Sequence, residues 1–324
     1  MPSTSLLLAV ALAVSATVLG DTQPQPDPRR PVVLVVHGRG FLSRDSAVFR
    51  REALQALREG SFRATGDSLL EDGDLRLVWY ADLMDVRRRA ARSLTSCDNG
   101  AGSSDDGNPA GFFLRSLAQV MSELVDGSAT DSSEDGARDI AGDLRFIGDR
   151  AVRCGAQGRV ADALARARAE GRPVVIVAHS LGALVTWGYL EHRDARDMPA
   201  IERLVTVGAP IGNDGLRELL MGDTSKVSLP RGVRSWVNAV NLDDGLAARI
   251  VMGDSTLSGI TDIVTAHSEE SAHDLRTYLR DSSTARAVVD AWCAAAKMKS
   301  RIAACVAIER NALGAFPVQR RNAR

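Results

Sequence analysis

The chain has 324 residues, and its 40 lysine and arginine residues nearly balance 41 aspartate and glutamate residues, for a formal net charge of -1 at pH 7. Proteins that bind nucleic acid concentrate lysine and arginine on one surface, so this balance, with only 4% aromatic residues, argues against nucleic acid as a partner. The length is compatible with one domain that carries insertions around a buried core.

An apolar run from Leu6 to Leu19 lies near the start of the chain, and a polar, proline-rich segment, 21–30, follows it. The run is too short to cross a bilayer comfortably, which favours a signal peptide over about residues 1–20 and then a linker. We therefore expect an exported protein, periplasmic or secreted. An uncleaved membrane anchor and a cytoplasmic protein with a mis-assigned start are the alternatives.

The first elements of the domain are a strand, a helix and a second strand. Val32–Val36 is a continuous run of β-branched residues and leucine, which is typical of a strand buried on both faces. Helical periodicity follows over 47–58, and a second strand is predicted at 75–80.

Residues 82–171 form an insertion before the next strand, about twice as long as one crossover helix requires. Helical segments are predicted within it, separated by polar loops at 93–111 and 127–137 that are rich in Gly, Ser, Asp and Asn. The apolar segment 112–124 has two interpretations. We favour a helix face packed on the sheet over a lid that covers a site.

A short apolar strand at 174–177 leads directly into a serine, Ser180, which is followed by helical sequence. A sharp turn from strand to helix exposes a serine Oγ above the sheet, where a histidine can take its proton. Such a turn crowds the positions two before and two after the serine, here Ala178 and Gly182. The amide of Leu181, in the first helical turn, is placed to donate to an oxyanion.

This segment resembles the α/β-hydrolase superfamily, whose signature around the serine is Gly-x-Ser-x-Gly. Ala178 replaces the first glycine, which adds one methyl group at the turn. The segment His37-Gly38-Arg39-Gly40 resembles the oxyanion loop that follows an early strand in this superfamily. The resemblance implies that the backbone N–H of Arg39 donates to the oxyanion together with that of Leu181.

No cofactor or metal ion is implied by the motifs. Gly38-Arg39-Gly40 is also compatible with the start of a dinucleotide fingerprint, but Ser43 stands where the third glycine belongs. The sequence contains no His-Glu-x-x-His motif, no Walker loop and no calcium-binding loop.

Strands and helices continue to alternate after the serine, with strands predicted at 204–207 and 233–240 and a C-terminal helix over 284–313. This alternation predicts an α/β fold, a doubly wound, mostly parallel sheet flanked by helices, with reactive groups at the carboxyl ends of the strands. By resemblance, residues 31–313 form an α/β-hydrolase domain, and 314–324 form a C-terminal tail.

The resemblance implies the chain order serine, acid, histidine, with the histidine in a loop before the last helix. We prefer His273 as the base because it leads into the C-terminal helix, in a segment similar to the histidine loop of lipase-like members. His267, behind a predicted strand at 260–264, is the reserve candidate. The other histidines are not well placed as bases: His37, His179 and His192.

Two adjacent aspartates, Asp243 and Asp244, follow the strand predicted at 233–240. Adjacent side chains cannot both face the histidine. By resemblance to the family pattern, Asp244 is the expected acid and Asp243 the reserve. Its carboxylate is expected to hold the imidazole in the tautomer that accepts the serine proton.

The function implied is that of a serine hydrolase of the carboxylesterase or lipase type, with Ser180, His273 and Asp244 as the triad. The expected partner is a small-molecule or lipid acyl ester, and a lipid substrate is compatible with contact at a membrane surface. A thioesterase or acyltransferase and an amidase on the same triad are alternatives. A non-catalytic binding protein on a hydrolase scaffold is a third.

The cysteines number four, Cys97, Cys154, Cys293 and Cys305, which suits two disulfides in an oxidising compartment. Cys97 lies in a polar loop, whereas the last two lie in an alanine-rich helical stretch, so unpaired buried thiols are an equally good interpretation of these cysteines.

Overall fold

The computed structural model describes residues 27–39, 44–85, 142, 145–146, 149–191, 194–212, 227–244, 247, 260–266, 272–296 and 305–306. No helix within these ranges is long and apolar enough to cross a membrane. The predicted signal peptide, the apolar segment 112–124 and the tail 314–324 lie outside them.

A single sheet of parallel strands forms the centre of the described structure, in the order β2-β1-β3-β4-β5-β6. Its strands are β1 (Val32–Val36), β2 (Leu75–Val78), β3 (Val174–His179), β4 (Ile201–Val207), β5 (Trp236–Val240) and β6 (Ile260–Val264). The fifth strand begins three residues later than predicted. Val233 makes only an isolated bridge to Ile201, because its N–H bonds to Pro230 in a turn.

The helices described are α1 (Ser46–Thr65), α2 (Ala81–Met84), α3 (Arg150–Ala169), α4 (Leu181–Glu191), α5 (Leu275–Arg280) and α6 (Ser282–Ala295). Helix α1 begins at an Asp45 cap, whose side chain accepts from the Val48 N–H, and ends at Gly66 in the left-handed conformation. The single C-terminal helix predicted over 284–313 is wrong in extent. Helix α6 starts earlier, at an Asp281 cap, and stops before Ala296, whose backbone is extended.

Helices cover both faces of the sheet because alternate strand residues point to opposite sides. In β1, Val32, Leu34 and Val36 join a core that includes α3 and α4, whereas Val33 and Val35 join a second core with α1, α5 and α6. All residues of β1 and β3 are buried, and each such Val or Leu side chain contributes about 1.5–3 kcal/mol. The predicted doubly wound α/β fold is therefore confirmed.

A disulfide joins Cys293 in α6 to Cys305, and Cys154 in α3 is disulfide-bonded as well. These three cysteines are therefore paired, and the alternative of buried free thiols is wrong for them. Cys97 lies outside the described residues.

The strand order reverses between β1 and β3: the chain adds β2 beyond β1 on one side and β4, β5 and β6 beyond β3 on the other. In open α/β sheets, ligands bind beyond the carboxyl ends of the strands at such a switch point. Residues 37–39 follow β1, and Ser180 follows β3, so the fold itself places these two loops side by side.

Candidate active site

The turn between β3 and α4 holds Ser180 in an unusual backbone conformation. Its φ is 50°, and it is the one non-glycine with a positive φ among the described residues. A side chain in the left-handed region costs on the order of 1–3 kcal/mol, so the surrounding structure must hold it there. The Ser180 N–H bonds to the Val207 oxygen of the neighbouring strand at 3.0 Å, which anchors the turn to the sheet.

The turn passes very close to the backbone that follows β1. A Cβ atom on Gly182 would lie 2.3 Å from the His37 oxygen and 2.7 Å from that of Val36. No side chain fits there, which confirms the predicted need for a small residue two positions after the serine. At the matching position before the serine, Ala178 is completely buried.

Three side chains from separate loops meet at this edge of the sheet. The Ser180 Oγ lies 2.9 Å from Nε2 of His273, in the loop before α5. The His273 Nδ1 lies 2.8 Å and 2.9 Å from the two carboxylate oxygens of Asp244, in the loop after β5. Because an ionised carboxylate only accepts hydrogen bonds, Nδ1 carries the proton and the Nε2 lone pair faces the serine hydroxyl.

The two aspartates predicted as alternatives are separated clearly by the structure. Asp244 is buried, with 1% of its surface exposed, whereas Asp243 is exposed and its N–H bonds to the Asn241 side chain in a tight turn. Asp244 therefore contacts His273, and Asp243 does not take that place. The reserve base, His267, lies outside the described residues.

The Asp244 carboxylate is held by further donors. The Tyr278 hydroxyl donates to Oδ2 at 2.6 Å, and the Ala247 N–H donates to Oδ1 at 3.3 Å. Burial alone disfavours the charge, but the hydrogen bonds from His273 and Tyr278 outweigh it, so the pKa of Asp244 is lowered. The carboxylate is therefore ionised at neutral pH.

A second histidine lies beside the cluster, at the end of β3. His179 Nε2 is 2.7 Å from the main-chain oxygen of His273, and the two rings are 4.8 Å apart. Burial and the neighbouring His273 lower the pKa of His179 to about 3, so its ring is neutral and donates from Nε2. The sequence pattern argues against His179 as a base, but it gives no sign of this contact.

The loop after β1 lies directly against the serine. A Cβ on Gly38 would approach the Ser180 Cβ to 2.7 Å, so only glycine fits at this position. The two residues predicted as oxyanion donors each follow one member of the contact between Gly38 and Ser180. Arg39 follows Gly38, and Leu181 follows Ser180 as the first residue of α4. Gly40 lies outside the described residues.

The fold and this cluster define a doubly wound α/β protein with a serine, a histidine and an aspartate in hydrogen-bond contact at the switch point of its sheet. No group of three or more potential metal ligands occurs within the part of the chain that the structure describes. Comparison with protein-family models gives no match, and comparisons with curated proteins and with solved structures give none either.

Proposed function

We propose that the protein is a serine hydrolase of the α/β-hydrolase superfamily, which cleaves an acyl ester of a small molecule or a lipid, in the manner of a carboxylesterase or lipase. The observation that carries this proposal is the continuous hydrogen-bonded chain from Ser180 through His273 to Asp244. Nucleophile, base and orienting acid are the three roles that acyl transfer by a serine requires.

The backbone of the nucleophile supports the same conclusion. A left-handed serine at a strand-to-helix turn is strained, and such strain is typical of functional sites. Ser180 contacts His273, which lies 93 positions later in the chain, and His273 contacts Asp244, which lies 29 positions before it. A polar chain that converges on one strained hydroxyl at a switch point is better explained by chemistry than by packing.

In the proposed reaction, His273 Nε2 takes the hydroxyl proton as Ser180 Oγ attacks the ester carbonyl. The N–H groups of Arg39 and Leu181 stabilise the resulting oxyanion. As the intermediate collapses, His273 returns its proton to the leaving alcohol, and an acyl-enzyme remains. Water then attacks the acyl group with His273 as base, which releases the carboxylic acid and restores the serine.

Export from the cytoplasm is part of the proposal. The disulfide between Cys293 and Cys305 and the disulfide-bonded Cys154 are typical of proteins that mature in an oxidising compartment. A substrate met outside the cytoplasm is compatible with either a soluble ester or a lipid at a membrane surface.

A fluorophosphonate probe tests the proposal, because it labels only an activated serine. We expect labelling of the wild type, none of Ser180→Ala, and strongly reduced labelling of His273→Ala. His267→Ala, which leaves His273 in place, is the matched control and should label like the wild type. Equal labelling of Ser180→Ala and the wild type would rule out the proposed nucleophile.

A substrate panel then identifies the leaving group. Short-chain p-nitrophenyl esters, the matching thioesters and anilides should be turned over in the order expected for an esterase, with esters preferred to anilides. Addition of an alcohol separates hydrolysis from acyl transfer, since a transferase forms the new ester as its main product.

A further inference from the structure

The ring of His37 is completely buried at the carboxyl end of β1, and both of its nitrogens form hydrogen bonds. Its Nδ1 lies 2.7 Å from the Gly38 oxygen, and the main-chain N–H of Tyr80 approaches its Nε2 at 3.1 Å. The ring also stacks on the Tyr80 ring, with centroids 4.1 Å apart, and the Tyr80 hydroxyl donates to the His37 oxygen at 2.6 Å. The proposed mechanism does not use this histidine.

These contacts fix the tautomer of His37. A main-chain N–H can only donate, so Nε2 must accept from Tyr80. The single proton of the neutral ring is therefore on Nδ1, which donates to the Gly38 carbonyl oxygen. Burial lowers the pKa of His37 to about 4, and the ring stays neutral at neutral pH.

The bond to Gly38 has a geometric consequence for the next residue. The Gly38 carbonyl and the Arg39 N–H belong to one planar peptide group, which is trans. When the carbonyl points at the His37 ring, the Arg39 N–H points away from that ring. Gly38 itself packs against Ser180, since a Cβ on the glycine would come within 2.7 Å of the serine Cβ. The Gly38–Arg39 peptide is therefore held by the His37 ring at its oxygen and begins at the residue that packs against Ser180.

We propose that His37 is a positioning residue that, with Tyr80, sets the direction of the Arg39 N–H as an oxyanion donor. This inference rests on the proposed serine hydrolase function. The bond from Nδ1 selects the orientation of the Gly38–Arg39 peptide before substrate arrives. The Tyr80 hydroxyl holds the preceding peptide by the His37 oxygen, so two consecutive peptides of the loop after β1 are each held by a hydrogen bond. Preorganised donors of this kind lower the barrier without a cost of reorganisation.

Two nearly isosteric substitutions separate the two bonds of the ring. His37→Asn places an amide nitrogen where Nδ1 lies and keeps a donor for the Gly38 oxygen. His37→Gln places its amide near Nε2, so it keeps an acceptor for the Tyr80 N–H and loses the bond to Gly38. The readouts are kcat and KM for a short-chain p-nitrophenyl ester, together with fluorophosphonate labelling and thermal unfolding of each variant.

Loss of a complete oxyanion donor costs about 10²–10³ in kcat, and a misdirected donor should lose part of that. We expect His37→Gln to lower kcat by about 10- to 100-fold with little change in KM, and His37→Asn to recover most of the loss. The affinity of a trifluoromethyl ketone, which forms a tetrahedral adduct with serine, should fall in parallel with kcat. Wild-type kcat in His37→Gln, or equal losses in the Asn and Gln variants, would overturn the inference.

Tyr80→Phe provides a second test if His37→Gln does not fold. It keeps the stacked ring and the Tyr80 N–H but removes the donor to the His37 oxygen, so kcat should fall while KM stays near its wild-type value. Unchanged kcat would show that the hydrogen bond from the Tyr80 hydroxyl to the His37 oxygen is not needed.

If the wild type itself neither labels nor turns over esters, the proposed function fails and this inference falls with it. If the wild type is active and the variants match it, only the inference fails.

Discussion

His179, the residue immediately before the strained serine, donates from Nε2 to the main-chain oxygen of His273, 2.7 Å away. The bond joins the end of β3 to the loop before α5, so Ser180 and His273 are connected through this bond as well as through the contact between their own side chains. The ring of His179 is buried and neutral, so at neutral pH its Nε2 carries the proton that it donates to this loop. This arrangement holds the imidazole within reach of Ser180.

Loss of this bond should reduce turnover without removing any member of the triad. His179→Ala frees the His273 loop, and a displacement of about 1 Å at a catalytic group can cost on the order of 100-fold in rate. We expect kcat for a p-nitrophenyl ester to fall by about 10- to 100-fold in His179→Ala. His179→Gln is the matched control, since its amide nitrogen occupies the Nε2 position and should restore much of the rate. An unchanged kcat in His179→Ala would contradict the prediction.

Asp244→Asn should have a much larger effect. The Ala247 N–H can only donate, and it faces Oδ1, so the amide NH2 of the asparagine is driven to the Oδ2 position, beside His273 Nδ1 and the Tyr278 hydroxyl. An amide facing His273 also favours the wrong tautomer, which places a proton on Nε2 where the serine proton must go. We expect kcat to fall by about 10⁴-fold, as measured with the same ester.

The control for that experiment is Asp243→Asn, which changes the exposed neighbour in the same way. Its activity should match the wild type, because Asp243 is exposed and its N–H bonds within the local turn. A similar loss of activity in both variants would mean that charge in this loop matters and that the contact with His273 does not.

The sheet could be predicted from the sequence because its two central strands are nearly continuous runs of β-branched residues. Val32–Val36 and Val174–His179 are buried along their whole length, as strands covered on both faces must be. The serine was recognisable for a related reason: small residues beside it are required by the close approach of Gly182 to the backbone after β1.

The supporting contacts could not be predicted in the same way. His37 meets Tyr80 and His179 meets the His273 oxygen across separations of 43 and 94 residues. No periodicity relates such positions, and in each case one partner is a main-chain atom, which every residue possesses. Tyr278 is a similar case, because a buried tyrosine on α5 has the pattern of a core residue until its hydroxyl is seen on Asp244.

Stability should fall on acidification, because two buried histidines are neutral in the folded protein. Burial lowers the pKa of His37 to about 4 and that of His179 to about 3, against an ordinary value of 6.5. Between these values the unfolded chain binds more protons than the folded one, so the stabilisation present above pH 6.5 is lost as pH falls towards 3. Each histidine should account for about 3–5 kcal/mol of the free energy of unfolding, lost in full only below its folded pKa.

Urea unfolding between pH 7 and pH 4 measures this loss. His179→Gln lacks one titrating ring, so its free energy of unfolding should decline less steeply with acid than that of the wild type. Parallel declines in the two proteins would show that His179 titrates normally when folded.

Asp262 on β6 should have the opposite pH dependence. Burial raises its pKa to about 6, against 3.8 ordinarily, although Asn238 donates to its Oδ1 at 2.9 Å. Between pH 4 and pH 6 the folded protein therefore holds a proton that the unfolded chain has released, and its stability declines as pH rises through this window. Asp262→Asn cannot ionise, so its free energy of unfolding relative to the wild type should increase by about 1–3 kcal/mol from pH 4 to pH 7. Urea unfolding at the two pH values gives this difference directly, and the same offset at both would show that folding does not raise the pKa of Asp262.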